Sequence, residues 1–211
     1  MVINKKNLDI LSKFNVSRET YYLLEHYREL IIDKNKEINL ISRKNTEDFT
    51  NRHIIDCVQI IDLIDLSKNM CTDIGSGAGL PGIILAILLK DKKTKTKMRL
   101  FEKSYRKSNF LKEISRKLKL DIIVEEKNVF EEKKLISGTV VARAFKPLPI
   151  ILELLEKNFE KYSNLVVFMG KNGKQLLEDS IKKWEFEYKN KRSITNKDSF
   201  LINIKNIKKN V

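Results

Sequence analysis

The sequence predicts an α/β fold: a mostly parallel, seven-stranded sheet with helices on both faces, preceded by a helical extension. Three observations lead there. After residue 69, short apolar runs alternate with helical periodicities, as in parallel sheets covered on both faces. The stretch DIGSGAGLPG at 73–82 packs four glycines between the first such run and the first such helix. The last two runs, 183–189 and 200–204, alternate apolar and polar residues and read as an antiparallel hairpin closing a mixed sheet.

The elements follow in order. Ser17 is placed to cap a helix whose first turn carries Glu19. Leu23, Leu24, Tyr27, Leu30 and Ile31 recur along it at helical spacing. Residues 35–42 form a connection whose Ile38, Leu40 and Ile41 are expected to pack. A further helical region is expected from near Thr46, with Ile54, Ile55, Val58, Ile61 and Ile64 on its apolar side. Strands are expected at 70–74, 98–101, 121–124, 139–142 and 164–168, and helices at 81–89, 104–118 and 148–158. The basic connection 92–97 is expected to be solvated. These features divide the chain into a helical region, 1–69, packed on a sheet-containing unit, 70–211.

With 211 residues the chain is long enough for one ordinary core and a small appendage. Its 42 Lys plus Arg against 28 Asp plus Glu leave a formal net charge of +14, which favours a polyanionic partner without naming one. No apolar run spans a bilayer, and the N-terminus lacks a signal peptide's apolar core. Cys57 and Cys71 make neither a disulfide framework nor a metal site; both are expected to be buried thiols, and the cytoplasm is the expected compartment. No coiled-coil or repeat pattern argues for more than a monomer.

The glycine-rich turn sits where open α/β sheets bind nucleotides. No lysine lies between Asp73 and Leu89, which excludes a Walker A loop. A dinucleotide fingerprint fits only in a shifted frame, Gly77, Gly79 and Gly82. Without a shift, Asp73, Gly75, Gly77 and Gly79 resemble the first motif of class I methyltransferases that use S-adenosylmethionine. Glu102 ends the second strand, where a carboxylate can accept hydrogen bonds from both ribose hydroxyls of an adenosine. The same carboxylate would serve NAD.

Over nearly its whole length the chain resembles the RsmG family, also called GidB. NVSRET at 15–20, NKEINLIS at 35–42 and RHIIDC at 52–57 are similar to the family's helical N-terminal region. DIGSGAGLPG, EKSYRKSNFLKE at 102–113 and VVARAFKPL at 140–148 are similar to its catalytic domain. The resemblance implies a Rossmann-like class I methyltransferase fold and transfer of methyl from S-adenosylmethionine to N7 of a guanine in small-subunit (16S) ribosomal RNA. It further implies cofactor contacts from Asp73, Gly75, Gly77, Gly79, Leu80, Glu102, Asn128, Val129 and Arg143. Three places depart from the family pattern: Cys57 where serine is common, Asn128-Val129-Phe130 where Arg-Ala-Glu is usual, and Met169-Gly170-Lys171 where Lys-Gly is usual.

Guanine N7 presents a lone pair and carries no proton at neutral pH, so transfer to it needs orientation and electrostatics rather than a base. The absence of an obvious catalytic dyad agrees with this. ARAFKPLP after the fourth strand disfavours transfer to an adenine amino group, and neither cysteine is placed for attack at cytosine C5. Arg143 is the expected catalytic residue, facing the cofactor carboxylate or the RNA near the methyl, with a structural ion pair as its other reading. Expected RNA contacts are Arg52, His53, Lys103, Arg106, Lys107, Lys146 and Lys171. For Arg52, His53 and Asp56, a link between the helical region and the sheet stays equally open, as does a core role for Phe145 against base stacking. No metal is expected. Two rival readings remain: an NAD-linked oxidoreductase, for which no proton relay is evident, and a basic ribosome-assembly factor on an inactive methyltransferase fold.

Overall fold

The structure is a computed structural model and describes residues 5–42 and 48–210. It opens with α1 (Lys5–Ser12) and α2 (Arg18–Lys34). The Ser17 side chain caps α2 by accepting from the Thr20 amide, as its position predicts. Thr46 lies outside the described residues. The helix expected beyond it is not one continuous α-helix: Thr50–Ile55 winds as a π-helical turn, Asp56–Val58 forms the short α3, and Ile61–Leu63 is a 3-10 turn. Apolar spacing alone does not distinguish these windings; contacts do. The Thr50 hydroxyl donates to Glu25 on α2, and the carbonyl of Arg52 accepts from Arg143 across the site. π-helical turns inside helices often mark functional sites.

The strands and helices of the second region follow as β1 (Met70–Ile74), α4 (Gly82–Asp91), β2 (Lys97–Phe101), α5 (Tyr105–Lys117), β3 (Ile122–Glu125), β4 (Leu135–Ile136), β5 (Thr139–Ala142), α6 (Leu148–Asn158), β6 (Phe159–Lys161), β7 (Asn164–Met169), α7 (Gly173–Ile181), β8 (Trp184–Arg192) and β9 (Phe200–Lys209). The main sheet runs β3-β2-β1-β5-β7-β9-β8. Its first five strands are parallel; β9 pairs antiparallel with both β7 and β8, giving the closing hairpin. The small β4–β6 pair and α7 have no counterpart among the expected elements. Two- and three-residue strands are too short to carry a pattern. In the connection before β2, Thr96 is buried rather than solvated, its hydroxyl donating to the Lys68 carbonyl at 2.6 Å.

Helix α4 is apolar all round, GIILAILL, and every residue from Gly82 to Leu89 is buried. The reason is the N-terminal helices. One face of α4 covers the sheet and another meets α2 and α3, so Leu24, Tyr27 and Ile31 share one apolar cluster with Ile83, Ile84 and Ile87. Tyr27 also donates to the Ala78 carbonyl at 2.7 Å, fastening the helical region to the glycine-rich turn. At the far edge, β8 is lined by Glu185, Glu187, Lys189 and Lys191, charges that discourage pairing with another strand. Cys57 and Cys71 are fully buried, and burial raises both thiols far above their ordinary range.

Candidate active site

β1 and β5 are neighbours in the sheet, but the chain leaves β1 toward β2 on one side and leaves β5 toward β7 on the other. A crevice opens at such a switch point, outside the carboxyl ends of the strands. Here it is a cavity of about 650 Å³, a size suited to a nucleoside cofactor. Its walls come from the loops after β1, β2, β3 and β5 and from the 35–42 connection of the helical region. The Asn35 side-chain oxygen accepts from the Leu40 and Ile41 amides and so shapes that connection, which places Leu40, Ile41 and Ser42 at the wall.

The loop after β1 meets the cavity through backbone. Gly75 has φ +73, and a Cβ there would fall within the ring of Phe145. The Gly75 and Ser76 amides both donate to the Phe101 carbonyl, anchoring the turn on β2. A Cβ on Gly77 would touch only the Gly75 carbonyl, at 4.0 Å, and the Gly77 amide donates to Glu102 at 2.9 Å. The other Glu102 oxygen accepts from Ser104, so the carboxylate is held at the cavity wall by two backbone donors. Each oxygen keeps a further lone pair for a ligand hydroxyl.

Two residues of the glycine motif lie elsewhere. Asp73 does not line the cavity: it is 1 % exposed beneath the loop, and its Oδ2 accepts from the Gly82 amide at 2.9 Å, tying the end of β1 to the start of α4. Burial raises its carboxyl to about 7. Gly79 faces the core, where a Cβ would strike Ile83 and approach the Tyr27 hydroxyl. Gly82 is likewise pressed on Asp73 and Leu100. The shifted dinucleotide frame therefore spends two of its three glycines on packing, not on a ligand. Leu80, Asn128 and Val129 line the cavity, Asn128 also capping the turn after β3 by accepting from the Phe130 amide.

Arg143 lies at the wall just beyond β5. Its Nε donates to Asp56 at 3.2 Å, and its Nη2 donates to the Arg52 carbonyl and to His53 Nδ1, each at 3.0 Å. Its guanidinium also sits 5.7 Å from the centre of the Phe168 ring. The hydrogen bonds show RHIID linking the helical region to the sheet, and His53 also lines the cavity. Arginine has only donors, so His53 Nδ1 is the acceptor and the imidazole proton resides on Nε2. That N–H is buried and has no partner among the described residues. A bare glycine backbone, a positioned carboxylate and an unpaired donor together fit an adenosine cofactor bearing an amino-acid tail.

Lys103, Lys107 and Lys146 line the cavity, joined by Lys127, which sequence reasoning missed, and by Phe130, which it placed beside Asn128 and Val129 without a role. Arg52 contributes its carbonyl here, while its side chain is 3.7 Å from Asp48. Arg106 on α5 is exposed and outside the cavity lining, because the helix turns it away from Lys103 and Lys107. Lys171 follows β7 and lines a separate groove. Phe145 stacks on Phe130, ring centres 5.9 Å apart, while also lining the cavity.

The family described as rRNA small subunit methyltransferase G (GidB) matches residues 20–203. The chain belongs to this family. It is 50 % identical over 206 residues to ribosomal RNA small subunit methyltransferase G of Pelagibacter ubique, covering 97 % of each chain. The protein of the same description from a Ruegeria species is 32 % identical over 197 residues, covering 93 % of this chain and 96 % of the other. Solved structures share the fold at low identity. A SAM-dependent methyltransferase from Aquifex aeolicus matches with TM-score 0.57 at 15 % identity, over 82 % of this chain and 96 % of that one. TrmK of M. capricolum, bound to S-adenosylhomocysteine, matches with TM-score 0.54 at 19 %, over 79 % of this chain and 69 % of that one. As a GidB member with the class I fold, the chain is an S-adenosylmethionine-dependent methyltransferase, and the oxidoreductase reading falls.

His53 gives the site a pH signature. Burial, then repulsion from Arg143 and Arg52, lowers its imidazolium from 6.5 to about 4. Between those values the unfolded chain binds a proton that the folded chain refuses, so the contribution of His53 to stability falls as pH drops through this window and is full above it. His53→Gln is expected to remove that contribution, leaving the variant less penalised than wild type at the lower pH. Urea midpoints at pH 7.5 and 5.0 check it; equal losses in wild type and variant would show that His53 is not held neutral. Asp73 titrates with the opposite sign, being protonated in the fold below about 7, but it contributes equally to both chains and cancels.

Proposed function

We propose that this chain transfers the methyl group of S-adenosylmethionine to N7 of a guanine in small-subunit (16S) ribosomal RNA, acting as a monomer in the cytoplasm. The observation that carries the target atom is the lack of a free base at the cavity among the described residues. Of these, His53 is its only imidazole, and the basic nitrogen of that ring accepts from Arg143. Glu102 is the only carboxylate among the described residues that line it, and it holds two backbone amides. An acceptor bearing a proton would need such a group; guanine N7 does not.

When bound, S-adenosylmethionine supplies an electrophilic methyl on a sulfonium. In this reading Gly75, Gly77 and Leu80 lie along it, Glu102 holds the ribose hydroxyls, and Asn128 and Val129 flank the adenine. Arg143, oriented by Asp56, would face the cofactor carboxylate or an oxygen of the RNA near the methyl, and His53 Nε2–H offers a hydrogen bond to an acceptor oxygen of either ligand. Lys103, Lys107 and Lys146 would hold phosphates of the RNA, which loses its local stacking around the target base. The helical region 1–69 serves as a cover on the catalytic unit 70–211.

No described helix is long and apolar enough to cross a membrane, and no cluster of three potential metal-ligating side chains occurs among the described residues. Transfer from labelled S-adenosylmethionine to protein-free 16S RNA and to small subunits tests the reading. Borohydride reduction and aniline cleavage then locate the product. Scission at one guanine is expected; label at another atom would overturn the N7 assignment, and cofactor binding with no transfer to either substrate would favour the assembly-factor reading.

A further inference from the structure

Beyond the active site, a second groove of about 570 Å³ lies between α7 and the tip of the β8–β9 hairpin. Lys171, Lys174, Arg192 and Lys197 line it, opposed by the single carboxylate of Asp198. None of these four cations has an ion-pair partner among the described residues. Some surface lysines are neutralised locally, for example Lys97 by Asp121, Lys112 by Glu126 and Lys117 by Glu113. What marks the groove is that four cations face one another across it against one carboxylate, so their fields add in one concavity.

Its position is as informative as its charge. β7 ends and β9 begins on the side of the sheet that carries the active site, since Met169 pairs with Phe200. A shallow cleft of about 260 Å³ lies between the two openings. It shares Ala144, Phe145 and Lys146 with the active-site cavity and Gly170 with the groove, so the three adjoin in a row along this edge and make up a trough of three segments. The hairpin tip that carries Lys197 is anchored rather than loose. Ser193 and Thr195 donate their hydroxyl protons to Asp56 Oδ1, and the Ile194 amide donates to Gln59. Asp56 Oδ2 holds Arg143. One carboxylate thus sets the distance between the groove and the reacting centre.

We propose that this groove binds backbone phosphates of the RNA strand as it leaves the target guanine through the trough, with Lys174, Arg192 and Lys197 as contacts alongside Lys171. This rests on the reading of the chain as an RNA methyltransferase. It also explains why Lys171 lies away from the cofactor.

The test uses the full chain with Lys174→Ala, Arg192→Ala and Lys197→Ala combined. Binding of protein-free 16S RNA is measured against potassium chloride concentration. The variant is expected to bind at least tenfold more weakly at low salt, with a log–log salt slope shallower by about 2, from roughly 0.7 per lost single-strand phosphate contact. S-adenosylhomocysteine affinity is expected to stay within twofold, which also certifies the fold. The charge-keeping set Lys174→Arg, Arg192→Lys and Lys197→Arg is expected to restore the wild-type slope. An unchanged slope and affinity in the alanine variant, or a loss that the charge-keeping set does not restore, would overturn the groove assignment. The enzymatic reading is judged separately, by methyl transfer from wild type; it can fail while the groove still binds RNA, or hold while the groove does not.

Discussion

Gly75→Arg is expected to weaken S-adenosylmethionine binding by at least about 100-fold in a chain that still folds. The φ of +73 at this position costs a side-chain-bearing residue about 1–2 kcal/mol. The added Cβ also overlaps the Phe145 ring. The chain has two ways out. The loop can keep its shape, in which case Phe145 or the new side chain enters the cavity. Or the loop can relax, in which case the Gly77 amide leaves Glu102 and the cradle opens. The φ strain lowers the stability of the fold, while the blocked cavity or the opened cradle is expected to cost about 3 kcal/mol of binding, about two powers of ten. Calorimetric titration with S-adenosylhomocysteine measures it. Gly75→Ala paired with Gly75→Ala/Phe145→Ala separates the terms: removing the ring should recover the overlap and leave the backbone strain. Wild-type affinity in Gly75→Arg would mean the cofactor lies elsewhere.

Arg143→Ala is expected to lower kcat/KM for methyl transfer by 10²- to 10³-fold, the cost of losing one preorganised donor group that orients cofactor and RNA, about 3–4 kcal/mol. The fold should survive, because Asp56 keeps the donors Gln59, Ser193 and Thr195 when the guanidinium goes. Arg143→Lys should retain under a tenth of wild-type kcat/KM. One ammonium cannot span the Asp56 carboxylate, the Arg52 carbonyl and His53 Nδ1 in the guanidinium's fixed plane. A variant with wild-type kcat/KM and a lowered melting temperature would restrict Arg143 to bridging the helical region and the sheet.

Much of this was legible in the chain itself. The strands 70–74 and 139–142 and the helix 148–158 match the structure end to end, because each is an apolar run between strong stop signals. Gly75, Gly77, Leu80, Glu102, Asn128, Val129 and Arg143 converge on one cavity, as the order of the strands requires. The roles of Asp73 and Gly79 were not legible. Motif spacing marks a residue as needed but does not separate contact with a ligand from support of the loop that makes the contact. Only the Gly82 amide on Asp73 Oδ2, and the crowding of Ile83 and Tyr27 at Gly79, assign both to support.

The sequence by itself determined the α/β class, the switch-point loop and the family, since these depend on local periodicity and on contiguous motifs. Tertiary structure alone decided which charges work together. Asp56, Arg143 and Thr195 are far apart along the chain and have no shared pattern, yet one carboxylate holds both the active-site arginine and the hairpin tip. Lys171 was visible as a cation beyond β7, but its separation from the main cavity and its company with Arg192 and Lys197 depend on how the last hairpin folds back. The physical reason is the same in each case. Backbone propensity acts over a few residues, whereas a charge is given its partner by whatever the packed core brings within about 3 Å.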